Sequence, residues 1–375
     1  MRFTISSNAL YSVLQNNLKV VPTKATMPIL DYFLFVLNNG VLTIISSDLE
    51  TTLTSKINVL SEEIPGAIAV PSKRMIDSLR ELSDQPITFE VLENNVIKIL
   101  WTTGKLILPG VTSAGFPVIE GIEDFTQSFN LSANWLSAAI NKTLFAASDN
   151  ELRPIMNGVH FDLTPENATF VATDAHKLVR LTKDSPNSEI TERCSFNLPK
   201  KPANLLKNLL AKQTSDINIT FNNKNIVFKL EDYELICRTI EGRYPNYNSV
   251  IPQNNTNKVL VDRTLLLNSL KRVSVCSNVV SNLIKFTISD NNIGLVAQDT
   301  DFSVSAEDSL ECDYNGDSLS LGFKAPYVIE MLQNMSTEMV SLEFADATRA
   351  GLIVPFDPKD ELEQNLLMLL MPIMS

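Results

Sequence analysis

One pattern constrains this 375-residue chain more than any other: it repeats itself three times. Met27-Pro28-Ile29-Leu30 returns as Arg153-Pro154-Ile155-Met156, with the prolines 126 positions apart. Ser47-Asp48-Leu49-Glu50 returns as Thr173-Asp174-Ala175-His176, again offset by 126, and Gln298-Asp299-Thr300-Asp301 follows 125 beyond. Val70-Pro71-Ser72-Lys73 matches Leu198-Pro199-Lys200-Lys201, and Phe323-Lys324-Ala325 holds the same place in a third copy. Each copy opens on a short strand pattern running into a helical one: Phe3-Thr4-Ile5 into Leu10–Val20, Phe129-Asn130-Leu131 into Leu136–Ala146, and Val259-Leu260-Val261 into Leu265–Val275. A single short match arises easily by chance, but four landmarks in one order at one spacing mark internal duplication.

The repeat predicts three homologous domains, 1–124, 125–252 and 253–375, of ordinary domain size. Gly115–Gly121 and Ile251–Asn257, rich in Gly, Pro and Asn, read as the linkers. Within the first copy, a strand at 2–6 and a helix near 8–20 precede alternating strands near 30–37, 41–47 and 51–59. The order recurs as a strand at 67–70, a helix near 72–82, and strands near 86–92, 95–101 and 104–108. Asn38-Asn39-Gly40 and Glu93-Asn94-Asn95 supply hairpin turns, as do Asn222–Asn225 and Asp290–Asn292 later. The expected class is α+β, with two helices on one face and two antiparallel sheets in each domain. Pro355–Glu361 interrupts the last strand as a charged surface loop, and Leu366–Leu370 resumes it.

Composition limits the function. Apolar residues make up 44% and charged residues 20%, an ordinary globular balance. The longest apolar run, Leu366 to Met374, is too short to span a membrane, and the polar N-terminus lacks the apolar stretch of a secretory signal. The expected location is cytoplasmic, with no membrane contact. Cys194, Cys237, Cys276 and Cys312 stand far apart, which fits reduced, buried thiols better than disulfides or zinc.

The net charge of −12 argues at first against nucleic acid. Its distribution argues the other way. The six predicted helical segments (7–24, 72–82, 134–148, 200–213, 263–273 and 324–335) hold 14 Lys and Arg against three acids, Asp77, Glu81 and Glu330. They carry a net +11 and leave −23 to the rest of the chain. Glu favours helices as much as Lys does, so helix propensity alone does not explain the excess. Cations spread over equivalent helices, with no recognition helix or zinc finger, suit phosphate contact without base readout.

Together with Thr173-Asp174-Ala175-His176-Lys177-Leu178, Gly242-Arg243-Tyr244-Pro245 and Met371-Pro372-Ile373-Met374, the three tandem repeats resemble the bacterial DNA polymerase III beta subunit family, the replicative sliding clamps, over essentially the whole chain. The resemblance implies a head-to-tail homodimer closing a six-domain ring around duplex DNA, with twelve helices lining the hole. It implies a processivity role without catalysis and no cofactor or metal. Expected partners are double-stranded DNA, the replicative polymerase catalytic subunit, an ATP-driven clamp loader, and other polymerases and repair proteins that dock a short apolar peptide motif.

By the same resemblance, the peptide pocket lies between the middle and C-terminal domains. It takes in Met156, Thr173, Ala175, His176, Lys177, Leu178, Pro245, Val250, Leu369, Met371, Pro372, Ile373 and Met374. DNA contacts fall to Lys24, Lys73, Arg74, Arg80, Asn150, Lys200 and Lys201, and the dimer contact pairs Leu106 and Leu108 with Val275 and Cys276 of the partner subunit. The chain departs from the family at its end, with Met374-Ser375 where a basic residue and a leucine are common.

A hydrolase is the alternative, with Asp174 and His176, or Asp299 and Asp301, as ligands or bases. It lacks support: there are two histidines in all, and Asp48 repeats the Asp174 position with no histidine beside it. A residue repeated at one position in every copy reads as a turn aspartate. No Gly-x-x-x-x-Gly-Lys-Ser/Thr loop is present, so the chain itself is not expected to use ATP, and the resemblance implies that a separate ATP-driven loader opens the ring.

Overall fold

The computed structural model describes residues 1–117, 127–184, 190–211 and 213–373. Six α-helices lie among them: α1 (Ser7–Leu18), α2 (Ser72–Arg80), α3 (Ala133–Thr143), α4 (Lys200–Leu210), α5 (Arg263–Ser274) and α6 (Ala325–Gln333). As the repeat predicts, α1, α3 and α5 each follow directly on a strand: Arg2–Ser6, Gln127–Ser132 and Asn257–Asp262. The strand ends on the residue that caps the helix. Ser6 Oγ accepts from the Ala9 amide at 3.2 Å and Asp262 Oδ1 from Leu265 at 2.8 Å, each satisfying an amide that the first helical turn leaves unpaired.

The chain forms two compact units, Met1–Asn134 with Lys201–Thr239, and Trp135–Lys200 with Ile240–Ser375. In the first, one antiparallel sheet orders Ser61–Ile64, Arg2–Ser6, Pro86–Val91, Val96–Trp101 and Gly104–Pro109. Its second sheet has eight strands: Gln127–Ser132, Asp216–Phe221, Asn225–Lys229, Tyr233–Arg238, Thr51–Asn58, Val41–Ser47, Tyr32–Asn38 and Gly66–Pro71. Phe3, Phe35 and Phe89 stack at the centre of the N-terminal core, their rings 5.0 and 5.6 Å from Phe89, under Leu10 and Leu14 of α1 and Met75, Ile76 and Leu79 of α2. A fully buried Asn17 bonds Ser55 and Ser46, so the polar group α1 brings inside is satisfied.

In the second unit an eight-stranded sheet runs Cys194–Pro199, Gly158–Leu163, Asn167–Thr173, Lys177–Asp184, Leu366–Leu370, Gly351–Pro355, Met339–Phe344 and Asn257–Asp262. A four-stranded sheet holds Val304–Glu311, Asn292–Asp299, Leu283–Ser289 and Leu319–Lys324. The described residues thus show four sheets, not a separate pair for each repeat. Strand Tyr233–Arg238 pairs with Thr51–Asn58, and Lys177–Asp184 pairs with Leu366–Leu370, so edges from neighbouring repeats satisfy one another.

The turns carry the expected chemistry. Asn39 (φ 52) and Gly40 (φ 75) both take the left-handed conformation that a tight two-residue hairpin requires. The terminal apolar run is buried because Leu366–Leu370 sits inside the sheet, paired on both sides. The loop before it is anchored as well as charged: Glu363 is fully buried, pairs with Lys142 and accepts from the Ser336 and Thr337 amides. No helix among the described residues is long and apolar enough to cross a membrane.

Candidate peptide and nucleic-acid interfaces

The repeated aspartates are turn residues. Asp48 Oδ1 accepts from the amides of Glu50 and Thr51, Asp174 Oδ1 from His176 and Lys177, and Asp299 Oδ1 from Asp301 and Phe302. Leu49 (φ 77) and Ala175 (φ 76) are held left-handed by the first two turns. These oxygens are consumed by backbone, and no group of three or more His, Cys, Asp or Glu suited to a metal occurs among the described residues. The Asp174 and Asp299 carboxylates of the hydrolase alternative have this structural employment instead.

The Asp174 turn leads into Lys177–Asp184, which pairs with the terminal strand so that Leu178 faces Leu369 directly. Both are 3% exposed. They join Val171, Tyr244, Tyr247, Ile251, Ala350 and Leu352 in one apolar cluster, with Ile155, Val354 and Leu367 against it. Around this floor stand exposed groups: Ala175, His176, Pro245, Val250 at 53% and Met371 at 42% exposure. Met371 is fixed by its amide bonding His176 O at 2.9 Å, and Ile373 by its amide bonding Gly322 O at 2.8 Å. Thr173 is buried, its hydroxyl bonded to Lys177 O. Met156, Pro372 and Ile373 are half-buried, and Met374 lies outside the described residues.

Lys177 turns away from this cluster. Strand alternation puts it on the face opposite Leu178, where its ammonium is 2.5 Å from Glu330 and lies over the Phe145 and Tyr327 rings. Its side chain therefore holds the strand in place and does not line the apolar floor.

Tyr244 and Tyr247 come from the loop opened by Gly242-Arg243-Tyr244-Pro245, and strand Gly158–Leu163 positions both. His160 stacks on Tyr244 with centroids 4.3 Å apart and planes 4° from parallel, its Nδ1 2.7 Å from Asn197 Oδ1. Asp162 accepts two hydrogen bonds from Arg193, at 2.9 and 2.8 Å, and one from the Tyr247 hydroxyl at 2.7 Å. Burial holds the His160 imidazole below its ordinary value, against the Asn197 hydrogen bond and the Asp162 charge, which favour protonation. Burial works to raise the Asp162 carboxyl, but the Arg193 and Tyr247 hydrogen bonds outweigh it and hold it below its ordinary value.

Both shifts make acid destabilising. The lowered His160 stabilises the fold fully above its ordinary value of 6.5 and loses that contribution as pH falls from there. Asp162 follows below its ordinary 3.8. The expected result is a thermal midpoint that falls between pH 7.5 and 5, with a smaller fall in His160→Gln; melting both proteins across that range measures the difference.

The basic residues divide by partner. Arg80 bonds Tyr11 and pairs with Asp77, Lys200 pairs with Asp149, and Lys201 reaches Asp48 and Val20 O. Lys24, Lys73 and Arg74 are exposed with no ion pair among the described residues. Lys19, Lys207 and Lys271 are equally free and were not singled out in the sequence, where nothing separates a paired lysine from a free one. Asn150 Oδ1 is tied to the Leu152 amide.

The residues expected at the subunit contact differ in exposure. Leu108 is 4% exposed and, with Leu106 packed beside it, belongs to its own N-terminal core. Strand alternation sends Ile107, 56% exposed, outward from this sheet edge. Val275 is 82% exposed and Cys276 half-buried.

Comparison with known proteins accounts for nearly the whole chain. Models of the N-terminal, central and C-terminal domains of the DNA polymerase III beta subunit match residues 1–120, 130–246 and 248–372. The beta sliding clamp of Pseudomonas aeruginosa is 25% identical over 360 residues, 96% of this chain and 97% of that protein. The crystal structure of a sliding clamp from Bartonella birtlesii bound to griselimycin superposes with a TM-score of 0.92 at 28% identity, covering all of both chains. The DNA polymerase III beta subunit of Thermotoga maritima gives 0.90 at 26%, covering all of this chain and 99% of that one.

Proposed function

Since the chain belongs to the DNA polymerase III beta subunit family, the non-catalytic sliding clamps, we propose that two copies close head to tail into a ring that slides on duplex DNA and tethers the replicative polymerase. The observation that carries this is the tiling of all three family domains along one chain in which the helices hold the net positive charge. Domains of 1–124, 125–252 and 253–375 fit the repeat, with the first boundary outside the described residues.

The exposed, unpaired Lys24, Lys73 and Arg74, joined by Lys19, Lys207 and Lys271, are the phosphate contacts on this reading. Arg80, Lys200, Lys201 and Asn150 would have to exchange an internal partner for DNA, so their share is smaller. A ring has no free end through which DNA enters, and opening it falls to an ATP-driven loader. The cluster floored by Leu178 and Leu369 and rimmed by Pro245, Val250 and Met371 docks an apolar peptide of polymerases and repair proteins. A Met-bearing, partly exposed rim suits one groove that serves several partners.

Primer extension tests the function: with a loader and ATP, the protein should lengthen polymerase products per binding event on primed circular DNA, and unchanged lengths would refute it. The charge assignment predicts that Lys73→Gln with Arg74→Gln weakens DNA binding uniformly across sequences. It should also reduce the slope of log affinity against log salt by about 1 per residue removed. Titrations at several salt concentrations read that slope.

A further inference from the structure

The apolar floor continues into a polar groove on the same face of the sheet. Two residue pairs beyond Leu178 and Leu369, and so next on the same face, stand Arg180 and Leu367, directly opposed in register, followed on that face by Thr182 and Asp184. These residues, with Asp162, Arg193 and Asn365, enclose a groove of 680 Å³. Tyr247, Val354 and Leu367 line this groove and also belong to or pack against the apolar cluster, so the two are continuous.

The charges in this groove are unequally satisfied. Asp162 is engaged by Arg193 and Tyr247, and Asp184 accepts from Asn365 Nδ2 at 2.9 Å. Arg180 has no ion pair or side-chain hydrogen bond among the described residues, and its Nε is shut off from solvent with no partner. Asp162 thus has a counter-charge and Asp184 a neutral donor, whereas Arg180 has neither counter-charge nor hydrogen-bond partner among the described residues. A guanidinium presents a planar fork of donors that matches a carboxylate.

We propose that this groove is a second subsite for the docked peptide, in which an acidic side chain pairs with Arg180. The proposal rests on the docking reading given above. Arg180 lies two residues along the strand from Leu178, about 7 Å, which an extended peptide also covers in two residues. The acid therefore belongs two positions from the residue seated over Leu178. A peptide side chain is favoured over free phosphate because the groove is continuous with the apolar floor.

The test uses fluorescent, amidated peptides carrying a Leu-Leu-Phe anchor and either Asp or Asn two positions before or after it, titrated against the full-length protein. One of the Asp peptides should bind about 10-fold tighter than its Asn twin at low salt. The gap should close in Arg180→Gln, persist in part in Arg180→Lys, and shrink at high salt, while the Asn peptides bind wild type and Arg180→Gln alike. Thermal midpoints of the variants exclude misfolding. Equal binding of both Asp and Asn twins, or a gap that survives Arg180→Gln, would overturn the subsite and leave the anchor site standing. Failure of the Asn peptides to bind, or binding indifferent to Met371→Asp, would overturn the docking reading itself.

Discussion

Replacing Glu363 by alanine should destabilise the unit that contains it by about 3–5 kcal/mol, the typical cost of stranding one member of a buried ion pair. The carboxylate is fully buried. It holds the Lys142 ammonium of α3, itself 15% exposed, and two backbone amides at Ser336 and Thr337. Alanine would leave all three donors without this partner, and Lys142 would retain only its hydrogen bond to Asn334 O. For a unit of this size the loss corresponds to a fall of roughly 10 °C in melting temperature. The double variant Lys142→Met with Glu363→Leu should recover only the share owed to the stranded ammonium, because the Ser336 and Thr337 amides still lack their acceptor. Calorimetry on the wild type and the two variants gives the answer, and a single-variant loss below about 1 kcal/mol would show that the pair is solvated.

Charging the rim of the apolar cluster should abolish peptide docking without unfolding the protein. Val250 and Met371 are 53% and 42% exposed, so aspartate at either position stays hydrated in the free protein. A docked peptide would cover both, and each covered side chain contributes about 1.5–3 kcal/mol when fully buried. Val250→Asp with Met371→Asp should weaken an apolar peptide by at least about 100-fold at an unchanged melting temperature. Isothermal titration measures the first quantity and thermal unfolding the second. Unchanged affinity would place docking elsewhere.

Much of this fold was legible because its period is long and its local chemistry consistent. The expected strands at 2–6, 41–47, 86–92 and 95–101 correspond to Arg2–Ser6, Val41–Ser47, Pro86–Val91 and Val96–Trp101. The Asn-Gly and Asn-Asn turns between them require left-handed backbone that few other residues tolerate. Strand Ser61–Ile64 escaped notice: it is a four-residue, largely exposed edge strand with no alternation to read. The pairing of edges between repeats also left no local trace, since hydrogen bonding between distant backbones depends little on side chains.

Site residues divide along the same line. Pro245, Leu178 and Met371 stood out through motifs, whereas Tyr247, Ile251, Ile155 and Leu352 join the cluster from three separate segments and look like ordinary core residues in sequence. Side-chain direction was hidden as well. Lys177 and Leu178 are adjacent in the chain yet serve opposite faces, and Leu108 turns inward while Ile107 turns out. Burial also altered the meaning of the 355–365 loop, whose acidic sequence resembles a solvated rim although Glu363 anchors it inside.

Encirclement is the central claim, and retention on DNA of different topology tests it most directly. Protein loaded onto nicked circular duplex should stay bound through a salt wash that removes surface-bound protein, and should be lost when a single restriction cut opens the circle. Equal loss from circular and linear DNA at every salt concentration, or equal retention on both, would contradict it.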